Sequence, residues 1–297
     1  MSAHRIRLRP FCAFAFAALA ACAAEAPPPR AFDARLAWAH LAEQVAFGPR
    51  VAGLPPHQRQ RAWMRSQLGF RADTLVVQEF GEGKRRRANY FARWRPEAAE
   101  RVLLVAHWDS PRYATRDPEE HLQRRPVPGA NEGASGTAVL MELAQILHET
   151  APAVGVDMLF TDGLEGGHGA RHFAAHLPAG YRPRWAVYVD RVGDADLGIP
   201  MEASSLAAAP AAVKRVWDAA RAAGMDSVFL ARTGAKVEGD HQVLNAAGIP
   251  TAAVIDPEYG RGNELWRTVD DHLPAVKRES LGVVGAVLAA LVYAEKP

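Results

Sequence analysis

Cysteine is nearly missing from this chain: its 297 residues hold two, Cys12 and Cys22. Both fall in the first 22 residues, so a domain that begins later has no thiol for a disulfide or a thiolate metal site. A charge bias is missing as well. The formal net charge is +2, but residues 1–21 contain Arg5, Arg7 and Arg9 and no acid. Without them 32 basic residues face 33 acidic ones, a balance that gives no support to nucleic-acid binding or to a polybasic membrane surface. Long hydrophobic runs are missing too. Phe11–Ala21 is apolar but too short to span a bilayer. No internal repeat and no long low-complexity segment interrupts the sequence.

What the N-terminus does contain is a basic segment, a short apolar run and then Leu19-Ala20-Ala21-Cys22. That order is the layout of an export signal, and its last four residues resemble a bacterial lipobox. The expectation is a signal peptide over residues 1–21 and a mature chain anchored by lipid on Cys22, in the periplasm or cell envelope. An ordinary signal peptide cut near the same place is the alternative. Residues 22–31, with Pro27-Pro28-Pro29, read as an extended tether. Residues 32–297 then form one domain, with apolar residues at 49% of the whole chain and ample for a core.

That domain is organised around Pro128-Gly129-Ala130-Asn131-Glu132-Gly133-Ala134-Ser135-Gly136, which leads into a helix over Thr137–Glu149. Small residues permit a tight turn there, and Ser135 is the expected helix cap. Upstream, the apolar strand Val102–Ala106 ends on His107-Trp108-Asp109-Ser110. Further strands are expected at Leu75–Phe80, Ala88–Trp94, Val156–Thr161, Trp185–Val189, Ser227–Arg232 and Thr251–Ile255. Helices are expected at Phe32–Phe47, Pro56–Leu68, Ala170–His176, Ala207–Ala223 and Leu281–Tyr293. This alternation predicts a single α/β domain with a largely parallel sheet covered on both faces.

His107, Glu132, Glu165 and Asp190 each lie at or just beyond a strand end. Open α/β sheets build their sites at that edge. One such residue is ordinarily solvated or paired for structure, but four in succession fit a metal site of nitrogen and oxygen ligands. Ser110 and Ser135 have no His–acid partner to make either a nucleophile.

Taken in order, seven segments resemble peptidase family M28, and within it the bacterial glutaminyl cyclase-like proteins. They are Gly48-Pro49-Arg50-Val51, Ala106–Ser110, Gly129–Gly136, Asp162-Gly163-Leu164-Glu165, Asp190-Arg191-Val192-Gly193-Asp194, Asp240-His241 with Ala247–Pro250, and Trp266-Arg267-Thr268. The resemblance implies the zinc-exopeptidase (phosphorylase/hydrolase-like) fold, with a mixed, mainly parallel sheet. It also implies an activity on peptide N-termini, either conversion of N-terminal Gln to pyroglutamate or aminopeptidase cleavage. By position it assigns metal to His107, Glu132, Glu165 and Asp190, and substrate or acid–base roles to Glu165, Asp190, Asp240 and Trp266. Asp109 is the expected orienting partner of His107, and His241 an expected lining residue.

Three positions depart from the family pattern. Glu132 stands for an Asp and is one methylene longer. Leu164 stands for the general acid/base and cannot carry a proton. Arg267 stands for a His ligand, and a guanidinium has no lone pair for a metal. The departures imply a glutaminyl cyclase-like protein with a degenerate site, one zinc position being lost at Arg267. If it is active, the zinc site is rebuilt, drawing on His168 or His272 with Glu165 as a ligand or the acid/base, or lies at His107, Glu132 and Asp190. The alternative is a non-catalytic peptide-binding protein in which Arg267 is a built-in cation neutralising Glu132 and Glu165.

Overall fold

The computed structural model describes residues 28–297. The signal peptide, the acylated Cys22 and most of the tether lie outside the described residues. Two helices, α1 (Ala34–Ala46) and α2 (Pro55–Arg71), lead into a hairpin of β1 (Thr74–Phe80) and β2 (Arg87–Trp94). Then follow β3 (Arg101–His107), α3 (Gly136–Glu149), β4 (Gly155–Thr161), α4 (His168–Ala175) and β5 (Ala186–Asp190). A small excursion of β6 (Ile199–Met201), α5 (Ala203–Ala208), α6 (Pro210–Ala222) and β7 (Phe229–Thr233) precedes α7 (Asp240–Ala246), β8 (Thr251–Ile255) and α8 (Arg278–Tyr293).

The main sheet has six strands in the order β1-β2-β4-β3-β5-β8. The β1–β2 and β2–β4 pairings are antiparallel, and the β4–β3, β3–β5 and β5–β8 pairings are parallel. This is the mixed, mainly parallel sheet the sequence implied. Every residue of β3, β4, β5 and β8 is buried, as mainly apolar strands covered on both faces require, and the one acid inside β4, Asp157, is paired with Arg101. Successive side chains divide the two cores. Val102, Leu104 and Ala106 join α1, α3 and α8 on one face, whereas Leu103 and Val105 join Phe173 and Leu244 from α4 and α7 on the other. A buried leucine such as Leu104 contributes on the order of 2–5 kcal/mol by this packing.

Topology places the site. The connection from β3 passes through α3 to β4 on one side, while β5 pairs with the other side of β3. A crevice opens at such a switch point, beyond the carboxyl ends of the two strands. His107 closes β3 and Asp190 closes β5, so both flank it.

Local chemistry moved some expected boundaries. The helix expected over Ala207–Ala223 is two helices, because Pro210 lacks an N–H and starts α6 anew. Ser135 is helical and does not cap α3. Its hydroxyl donates to the Asn131 carbonyl and accepts from the Val192 N–H. Asp240 and His241 lie in the first turn of α7 and not in a loop before it. Strand β7 pairs with the three-residue β6 in a separate small sheet. No helix among the described residues is long and apolar enough to cross a membrane.

Candidate functional site

The glycine-rich loop is held so closely that Gly129, Gly133 and Gly136 all exclude a side chain. A Cβ on Gly133, whose φ is +101°, would lie 2.2 Å from the Asp109 carbonyl oxygen, and one on Gly136 would lie 2.2 Å from that of Val189. These approaches press the loop against the ends of β3 and β5. Asp271 accepts the Asn131 and Glu132 N–H groups at 2.7 and 3.2 Å. The wholly buried Arg50 donates to the carbonyls of Trp108, Pro128 and Gly129. Asn131 in turn accepts the Gly193 N–H at 2.8 Å, tying the loop to the segment after β5.

Within that frame His107 is fully buried between two acids. Its Nε2 lies 3.1 Å from Asp190 Oδ1, and its Nδ1 lies 3.4 Å from Asp109 Oδ1. The first is a hydrogen bond and the second a looser ion-pair contact. Burial works against a charge here, but the Asp190 and Asp109 carboxylates outweigh it and hold the imidazole well above its ordinary value. Asp190 is kept below the usual carboxylate range for the matching reason: burial is outweighed by His107, with Arg191 and the backbone assisting. Asp190 Oδ1 also accepts the Arg191 N–H at 2.8 Å, and its Oδ2 accepts from Tyr188 at 3.3 Å. Asp109 takes the Leu164 N–H on both oxygens at 3.2 Å. Asp109 thus stands beside His107 as an ion-pair contact only, and His107 Nδ1 has no hydrogen-bond partner among the described residues.

A cleft of about 750 Å³ lies in front of this cluster, with Glu132, Glu165, Asp190 and Glu238 as its acidic lining and Arg171, Arg191, Lys236 and Arg267 as its basic lining. Glu132 is buried, and its Oε1 sits 3.4 Å from both Nε and Nη2 of Arg267. Its Oε2 has no hydrogen-bond partner among the described residues. Burial, with Asp190 adding to it, overrides Arg267 and pushes the Glu132 carboxyl up to about 7. Trp266 lies beside them, and the guanidiniums of Arg116, Arg191 and Arg267 stand 5.0, 5.1 and 5.5 Å from its ring centre. Arg191 and Arg267 both adopt positive φ, at 50° and 57°. Such a backbone costs a non-glycine residue on the order of 1 kcal/mol and gathers at functional positions.

The structure brings together His107, Glu132, Asp190, Trp266 and Arg267, and leaves the other proposed residues apart. Glu165 is exposed at the cleft rim and makes no ion pair or hydrogen bond among the described residues, so Arg267 pairs with Glu132 alone. The expected neutralisation of both acids by Arg267 is corrected on this point. Asp240 is buried and accepts from the Thr161 hydroxyl; His241 is buried 3.3 Å from Glu202 Oε2 and stacked on Tyr188. Neither lines the cleft. His168 and His272 are exposed. Arg191, Arg116 and Asp271 are the site residues that reasoning from sequence missed. The available signal was Arg191, a charge set directly after a strand-end acid.

The residues present do not fit a zinc ion at the position Arg267 occupies. Zinc requires three or four lone-pair donors converging within about 2.0–2.3 Å. Arg267 offers none, Glu165 stands off at the rim, and both His107 nitrogens face carboxylates. No three His, Cys, Asp or Glu side chains among the described residues are grouped to hold a metal. What the arrangement offers is a paired buried carboxylate with one free oxygen, an indole wall and nearby guanidiniums.

Residues 89–292 match peptidase family M28. The chain is 28% identical over 203 residues to aminopeptidase YwaD of Bacillus subtilis (strain 168), an overlap of 65% of this chain and 40% of that protein. It is 35% identical over 71 residues to the uncharacterized protein YfbL of Escherichia coli (strain K12), 24% of this chain and 20% of that one. The chain thus spans less than half of either curated relative. Solved structures align over more. A glutaminyl cyclase of Tannerella forsythia is 32% identical, with 90% of this chain and 100% of that chain covered and a TM-score of 0.84. Glutaminyl cyclase of Bacteroides thetaiotaomicron, bound to N-acetylhistamine, gives 28%, the same coverage and 0.84. A Zn-dependent exopeptidase of Parabacteroides distasonis gives 31%, 90% and 99% coverage, and 0.82.

Proposed function

This chain belongs to peptidase family M28, and on that premise we propose that it binds the amino-terminal end of peptides without a metal. The single observation behind this reading is Arg267, placed against Glu132 where the family resemblance calls for a metal-binding histidine. A peptide α-ammonium is the natural partner for Glu132 Oε2, which is buried and unpartnered in the protein. An unmet buried acceptor costs about 1–3 kcal/mol, and an ammonium hydrogen removes that cost on binding. Asp190 adds negative potential from the same side, and Trp266 supplies an apolar wall for the side chain of the first residue. Leu164 holds no proton, so nothing at that position drives turnover. Export and a lipid anchor on Cys22 belong to the same proposal, because the lipobox-like segment puts the cleft where extracytoplasmic peptides are met.

A second reading, cyclase or aminopeptidase turnover with a rearranged zinc site, is favoured by the presence of His107 and Asp190, residues the family resemblance assigns to metal, at the ends of β3 and β5. One set of titrations separates the two. Calorimetry on the domain from Ala31 onward, in chelator, is expected to show binding of a free-amine tripeptide and none of its acetylated form. Pyroglutamate formation or loss of the first residue, dependent on added zinc, overturns the metal-free reading.

A further inference from the structure

Among the cations that line the cleft, Arg191 is the one that folding explains least. Its side chain is 4% exposed, and its guanidinium makes no hydrogen bond among the described residues. Its nearest carboxylate oxygen, Asp190 Oδ2, is 4.0 Å away, and that acid is already engaged by His107. A buried guanidinium ordinarily has its donors met by an acid or by carbonyls, as Arg50 does here. Arg191 instead faces the cleft. It shares the Trp266 ring with Arg267 and Arg116, so three cations crowd one indole with one weakly held acid, Glu132, among them. Mutual repulsion of that kind is relieved by an anion, and the fork of a guanidinium suits a carboxylate.

The geometry points to a ligand carboxylate bound by Arg191 and Arg267 over Trp266, next to the ammonium position at Glu132. The ligand is a peptide whose first residue is acidic, carrying its ammonium and its side-chain carboxylate a few bonds apart. The lining has the matching pattern, an acid and two cations side by side in a cleft where four acids balance four bases. This inference rests on the amino-terminus reading above and deepens it. In place of a neutral side-chain amide, the pocket selects a negatively charged one.

The test uses amidated tripeptides, so that the first side chain is the one variable carboxylate. Glu-Ala-Ala-amide and Gln-Ala-Ala-amide are titrated into the protein in chelator, with inorganic phosphate as a competing anion. The expected result is about tenfold tighter binding of the Glu peptide, the worth of a charge-assisted hydrogen bond. Arg191→Gln should erase that preference and Arg191→Lys should restore part of it. Arg267→Gln, at a partly exposed position, carries the same test should Arg191→Gln fail to fold. Displacement of the Glu peptide by phosphate, with no displacement of the Gln peptide, supports the same anion site. Equal affinity for the two peptides overturns the carboxylate site and leaves the amino-terminus reading standing. A preference that survives both substitutions places the anion elsewhere and overturns it as well. No binding of any free-amine peptide overturns both readings.

Discussion

Two halves of one site, a few residues apart in the fold, are satisfied very differently. Around His107 most polar atoms have a partner, its own Nδ1 and Asn131 Nδ2 excepted: Asp190 takes four groups, Asp109 takes the Leu164 N–H, and Asp271 and Arg50 hold the loop beneath. Around Arg267 the contacts are long, and among the described residues Glu132 Oε2 and Trp266 Nε1 are unpartnered and Arg191 has no hydrogen bond from its guanidinium. Folding alone accounts for the first half, because a buried charge must be paired. It does not account for the second, where the unmet donors and acceptors face a cleft. His107 and Asp190 are thus engaged by groups within the protein, while the position that departs from the family pattern leaves polar atoms without partners beside the cleft.

The largest effect should follow from disturbing the joint between the halves. Gly133→Ala puts a Cβ 2.2 Å from a carbonyl oxygen at a positive φ, and is expected to cost more than about 4 kcal/mol in urea unfolding. A cost below about 1 kcal/mol would mean the loop is looser than described. Next is Asp190→Asn, which removes the main counter-charge of His107. The expected loss is about 4 kcal/mol at neutral pH, with His107 titrating at lower pH by NMR. An unchanged His107 titration would transfer its control to Asp109.

Glu132→Gln tests the open half through pH. Burial raises the Glu132 carboxyl from 4.5 to about 7. The folded state therefore retains a proton that the unfolded chain releases. The resulting stabilisation is fully present below about pH 4.5 and is lost as pH rises through about 7. Relative to Glu132→Gln, the wild type should lose up to about 3 kcal/mol between pH 4.5 and 8. Parallel curves would show that Glu132 stays paired throughout. Arg267→Ala follows, at about 1 kcal/mol. Its one partner is 3.4 Å away, its side chain is 26% exposed, and Glu132 answers the loss by keeping its proton. A cation neutralising two buried acids would instead cost about 3–5 kcal/mol on removal. The smallest effect belongs to Glu165→Gln, exposed and unpaired, within about 0.5 kcal/mol in stability.

Reading the sequence located the sheet edge well, because periodicity and length are local. Val102–His107, Val156–Thr161 and Thr251–Ile255 are strands whose apolar runs leave no other assignment, and they carry His107 to the right place. What it read less well depends on orientation. Glu132 and Glu165 look equivalent as acids beyond strand ends, yet a non-helical turn at Glu132 buries one, while the glycines at 163, 166 and 167 carry the other to the surface. Asp240 and Asp190 likewise look alike, but Thr161 turns Asp240 to a structural bond. Arg191 was invisible as a site residue because its importance lies in the partners it lacks, which a sequence does not display. The Ser135 cap failed for a similar reason: its hydroxyl was already taken by Asn131 and Val192, far away along the chain.

The metal-free binding reading depends on Arg267 standing in for the metal. Elemental analysis measures it directly, on the domain from Ala31 onward purified without chelator, equilibrated with zinc and then freed of unbound ion. Zinc far below one per chain is expected, with the same value for Arg267→Ala. Zinc near one per chain in the wild type would contradict it.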